Sequence, residues 1–130
     1  MVEQLFKTIG LENGLKLEIW DLSRKLEGDR WLVSLELNVD VPLMERHLQS
    51  LPEKEKALKA LRSRYGDKIT YKHKIEKHFV SHEQRETVFL TFMDTARKGL
   101  LEYLSRSDFT EKFTLATYKK LKAENPHLFL

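Results

Sequence analysis

Between positions 31 and 41 the chain carries Trp31, Val33, Leu35, Leu37, Val39 and Val41 at every second residue, with Ser34, Glu36, Asn38 and Asp40 set between them. A period of two is that of a strand with one face against a core and one toward water, and it is incompatible with a helix. Residues 15–22 repeat the pattern. Glu27, Gly28 and Asp29 between the two segments are residues that tolerate a tight reversal, so an antiparallel hairpin turning over 24–30 is the economical connection.

Pro42 ends the second strand, and Leu43, Met44, His47 and Leu48 then fall at the spacing of a short helical face. Ser50 followed by Glu53 reads as a capping box opening a helix to Gly66, with Leu51, Leu58, Leu61 and Tyr65 inward. Alternation returns over 69–80, with Tyr71, Ile75 and Phe79 on one face and Lys72, Lys74, Glu76 and His78 on the other. Ser81 with Gln84 suggests a second capping box. Val88, Phe89, Phe92, Met93, Ala96, Leu100 and Leu104 then form the stripe of a long core helix. A last helix starts at Asp108, presents Phe109, Phe113, Ala116 and Leu121, and stops at Asn125 and Pro126. The tail, His127 to Leu130, could dock on its own core or on a neighbour.

This order is not the regular βαβ alternation of a doubly wound parallel sheet. It predicts an α+β fold: a small, mostly antiparallel sheet of three strands, or four if 5–9 adds one, packed on one face by the C-terminal helices as a two-layer sandwich. At 130 residues, with 41% apolar and 33% charged residues, the chain is expected to form a single domain over 1–130. The absence of cysteine excludes a thiol nucleophile and a thiolate metal site, and it suits a cytoplasmic protein. Residues 1–10 are too short and too weakly apolar for a signal peptide or a membrane span, so no membrane association is expected.

Motifs for chemistry are missing. The glycines at 10, 14, 28, 66 and 99 are too scattered to cradle a phosphate, and no cofactor is expected. His73 and His78 differ by an odd number of strand positions and should point to opposite faces. The segment beginning His82-Glu83 lacks the second histidine of a zinc-protease helix, so no metal site is assigned. No nucleophile elbow is present, and the many carboxylates fall mostly on wet faces. No catalytic residue is assigned.

The charge is uneven. Residues 1–53 hold 6 basic and 10 acidic residues, residues 54–78 hold 9 and 3, and residues 79–130 hold 8 and 7. The basic middle could meet phosphates through Lys59, Arg62, Arg64, Lys68, Lys72, Lys74 and Lys77, although no RNA-binding aromatic motif, GXXG loop or zinc finger accompanies them. The bland reading is a solvated helix face and a lysine-guarded edge strand. Trp20, opposite Leu17 and Ile19, is an aromatic on an otherwise wet face and a candidate interface residue. Its alternative is burial beneath the N-terminal segment. The acidic first half and basic middle could also pair between two copies.

Three functional classes follow. The leading one is a non-enzymatic accessory or protein-interaction module, acting on an unidentified partner or a second copy. The next is RNA or DNA binding through 54–78. The third is a small-molecule enzyme with a pocket between sheet and helices, where His47, His73 or His78 would serve as base.

Overall fold

The computed structural model describes residues 4–126. Among them are five strands, four α-helices and one 3-10 helix: β1 (Gln4–Gly10), β2 (Lys16–Asp21), β3 (Arg24–Lys25), β4 (Arg30–Pro42), the 3-10 helix (Glu45–Leu48), α1 (Lys54–Tyr65), β5 (Lys68–Ser81), α2 (Arg85–Gly99), α3 (Leu101–Ser105) and α4 (Phe109–Glu124). The result is the expected α+β sandwich with a mostly antiparallel sheet. The tail at 127–130 lies outside the described residues.

The chain divides into two compact units, one formed by residues 4–39 and 71–106, the other by 40–70 and 107–126. In the first unit, β1 pairs with β2, and β2 with β4, both antiparallel. The hairpin is where the alternation puts it. Asp21 lies opposite Leu35 and Arg24 opposite Leu32, so β3 continues the register of β2 without a slip. Gly28 adopts a left-handed φ of 64° in the reversal, which Leu26 and Arg30 close with a 2.8 Å backbone bond. Between β2 and β3, the Ser23 hydroxyl takes the place of a ladder bond by accepting the Ser34 N–H at 3.0 Å.

Trp31, Val33, Leu35, Leu37 and Val39 are all buried, as the period of two requires. Ser34, expected on the wet face, is buried too. Besides its bond to Ser23, its carbonyl accepts the Leu22 N–H at 3.0 Å and its hydroxyl donates to Glu76 at 3.3 Å, so its polar atoms lose nothing by leaving water.

Two local irregularities change which residues face the core. In β1 the pairing steps from Leu5 opposite Trp20 to Lys7 opposite Ile19, leaving Phe6 as the extra residue. In β5 the alternation fails at Phe79. Its φ is 59°, the only positive value outside glycine among the described residues, and the side chain is 73% exposed, while Val80 is buried. The placement of Phe79 with Tyr71 and Ile75 is therefore corrected: the left-handed residue switches the strand by one position. For a bulky side chain this conformation costs roughly 1–2 kcal/mol.

The single long helix expected over 81–104 is two. It breaks between Gly99 and Leu100, where glycine, a poor helix former, ends α2. The stripe itself is sound, with Phe89, Ala96 and Leu104 buried against the unit's core.

The second unit packs α4 on the 3-10 helix and α1. Helix α1 buries Ala57, Leu58 and Leu61, and it ends at Gly66, whose φ is 86°. Tyr65, expected inside, is 37% exposed in the last turn with the Arg64 guanidinium 5.1 Å from its ring centre. In α4 the inward residues are Phe109, Thr114, Tyr118 and Leu121, whereas Ala116 is exposed. Thr114 can be buried because its hydroxyl donates to the Thr110 carbonyl at 2.7 Å. None of the expected capping boxes forms: α1 and α2 are capped by Glu53 and Gln84 with no side-chain bond, the helices beginning four residues beyond Ser50 and Ser81.

Candidate functional site

The space between the sheet and α2 is nearly closed. The crevice lined by Ile9, Leu17, Ile19, Leu37, Met93 and Ala96 holds about 10 Å³, the room of one water at most. A larger cleft of about 530 Å³ opens instead beside the start of β1, the hairpin and the first turns of α2.

Trp31 and Arg85 define its polar part. Arg85 is half-buried, and its guanidinium carbon lies 4.6 Å from the Trp31 ring centre, a cation–π distance. A cation in the first turn opposes the helix dipole, so helix formation alone would not place it there. Arg85 makes no hydrogen bond or ion pair with a described residue, which leaves its donor fork open. Asp21, Glu86, Gln4 and Ser23 complete the polar lining. The Asp21 carboxylate is partly committed, accepting the Ser23 N–H at 2.9 Å.

The other part is apolar. Phe6 meets Phe89 edge to face with 5.0 Å between ring centres, and Leu90 lies alongside. Phe6 and Leu90 are 50% and 52% exposed. The bulge at Phe6 is what turns this ring toward α2. Sequence reading placed Trp31 in the core and assigned nothing to Arg85, Phe6 or Leu90. Only the cation at the start of a helix carried a signal.

The residues assigned to phosphate contact divide between the units. In the second unit, Lys59, Arg62 and Arg64 lie on α1. Arg62 donates to the Leu43 carbonyl at 3.3 Å, Arg64 covers Tyr65, and Lys68 pairs with Asp40 at 2.9 Å. In the first unit, Lys72, Lys74 and Lys77 stand exposed along β5 and make no hydrogen bond or ion pair with a described residue.

Trp20 lies on the face opposite Leu17 and Ile19, as alternation requires. It is half-buried, has Leu5 and Glu36 as cross-strand neighbours, and donates its indole N–H to Glu18 at 3.4 Å. His73, His78 and His82 are exposed, and His82 lies 6.0 Å from the Trp31 ring. No group of three or more histidine, aspartate or glutamate side chains among the described residues is arranged to hold a metal ion.

His47 is buried in the second unit, with Nδ1 lacking a partner. Burial, reinforced by the Arg46 charge, holds it below its ordinary 6.5 against the opposing pull of the Pro42 carbonyl and Glu111. Burial also raises the Tyr71 and Tyr118 phenols, helped by Tyr103 and Glu53 respectively.

No helix among the described residues is long and apolar enough to cross a membrane. Comparison with family models, curated proteins and solved structures gives no match to this chain.

Proposed function

We propose that this chain is a non-enzymatic accessory module, working in the cytoplasm, that recognises an extended protein segment at the cleft beside β1. The observation that carries the reading is the half exposure of Phe6 and Leu90 at one cleft. Clustered exposed apolar side chains with a polar rim are typical of interaction sites, whereas isolated ones need no explanation. Strand β1 supports it, since among the described residues it pairs only with β2 and keeps its outer edge for another strand. An open-forked arginine on a tryptophan adds the residue types that anchor interfaces.

The test uses peptides selected from a random display library against the purified chain in a Trp20→Phe background, where Trp31 is the only fluorophore of its kind. Selected peptides are expected to shift Trp31 emission and to lose about tenfold or more in affinity with Phe6→Lys or Leu90→Glu. Unchanged affinity in both variants would remove the cleft from this reading. Sedimentation of the chain alone separates a second copy from a foreign partner.

A further inference from the structure

A phenylalanine in the left-handed region, 73% exposed near the end of a strand, is a placement that neither packing nor backbone preference favours. Strand β5 around it is basic: Lys72, Lys74 and Lys77 are exposed without ion pairs to described residues, His73 is exposed, and the His78 ring lies 6.4 Å from Phe79. The acid within the run, Glu76, accepts the Ser34 hydroxyl. Lysines guarding an edge strand would account for the cations. They would not account for Phe79, because a strand protected against association has no use for a large apolar ring held in water.

We propose that residues 72–79 form a binding site for single-stranded nucleic acid, with Lys72 and Lys74, on one face of the strand, meeting phosphates and Phe79 serving as the stacking platform for one base. The ligand must be anionic, which the unpaired lysines select, and it must offer a flat apolar surface, which Phe79 selects. Bases stacked within a duplex are closed to such a ring, whereas those of a single strand are open to it. Lys72 and Lys74 are two residues apart on a strand, about 6.6 Å along its axis, so they can follow an extended phosphate backbone. An anionic membrane would draw the same lysines but needs more apolar surface than one exposed ring.

The experiment is fluorescence anisotropy of labelled oligo-dT and oligo-U, with a duplex of the same length, heparin and anionic phospholipid vesicles as comparators, over about 50 to 200 mM salt. Single strands are expected to bind best, with log affinity falling against log salt at a slope of about −1.4 for two phosphate contacts. The Lys72→Gln/Lys74→Gln variant should bring that slope close to zero. Phe79→Ala should weaken single-strand binding about 5- to 100-fold without altering the slope or heparin binding, and Phe79→Tyr should restore it. Phe79 is exposed, so circular dichroism should report an intact fold in each variant. The proposal is overturned by no single-strand binding at low salt, by a Phe79→Ala protein that binds as well as the parent, by duplex or heparin binding as tight as the single strand, or by preference for the vesicles.

Discussion

The Arg85 guanidinium rests 4.6 Å from the centre of the Trp31 ring, and no described carboxylate claims it. Two small terms oppose each other at this residue. A cation–π contact near the surface contributes about 0.5–1 kcal/mol, and a cation at a helix start costs about 0.3–1 kcal/mol. Arg85→Gln should therefore change unfolding free energy by less than about 0.5 kcal/mol while shifting Trp31 emission in the Trp20→Phe background. A loss above about 2 kcal/mol in urea denaturation would make Arg85 a structural residue.

Phe79→Gly should stabilise the protein. Glycine removes the left-handed penalty of roughly 1–2 kcal/mol and gives part of it back as chain entropy, for a net gain of about 0.5–1 kcal/mol. Urea unfolding with an unchanged m-value is the measurement, and a lower midpoint would contradict a left-handed penalty at Phe79.

His47 makes stability depend on pH with a defined sign. Its folded pKa lies below the unfolded value of 6.5, so the unfolded chain binds the proton first as pH falls. Its contribution is complete above 6.5 and is lost as pH drops from there through the folded value. His47→Leu should flatten the urea midpoint between about pH 7 and 5 relative to the parent. It also replaces an Nδ1 that is buried without a partner, so it need not destabilise at neutral pH.

Core and surface should differ sharply in cost. Asp40 accepts from Lys68 at 2.9 Å and from Thr70 at 2.7 Å, but the Asp40 and Lys68 side chains are half exposed or more. Asp40→Ala should cost no more than about 1 kcal/mol and less in high salt. Leu35, 0% exposed at the centre of β4, should cost about 2–5 kcal/mol as alanine. Thermal denaturation of the two variants tests the ranking.

The hairpin and the inward faces of β4 and α2 were legible because each repeats one signal over many residues, and a repeated signal averages over local exceptions. The slips at Phe6 and Phe79 were not, because a one-residue slip leaves no mark in composition: Val80 and Phe79 are both apolar, and nothing local decides which turns inward. Ala116 and Tyr65 failed for a related reason, since apolar character marks what can be buried and not what is. The cleft was hidden more deeply. Trp31 and Arg85 are remote in sequence, and neither residue alone announces the other. The sequence offers His47 as a base, but its burial depends on α4 and the 3-10 helix, which no local pattern specifies.

The Asn13 amide donates to the carbonyls of Leu104 at 2.7 Å and Arg106 at 3.1 Å, across 91 positions of chain in the first case, while its oxygen accepts the Leu15 N–H at 3.2 Å. The Gly10 to Gly14 loop thus serves as a clasp on the end of α3. During synthesis the β1–β2 hairpin leaves the ribosome long before the carbonyls that this amide awaits, so the first unit stays unfastened until the chain has grown past Arg106. Nascent chains stopped short of Leu104 should be cut readily by protease near this loop, and chains carried beyond Arg106 should resist.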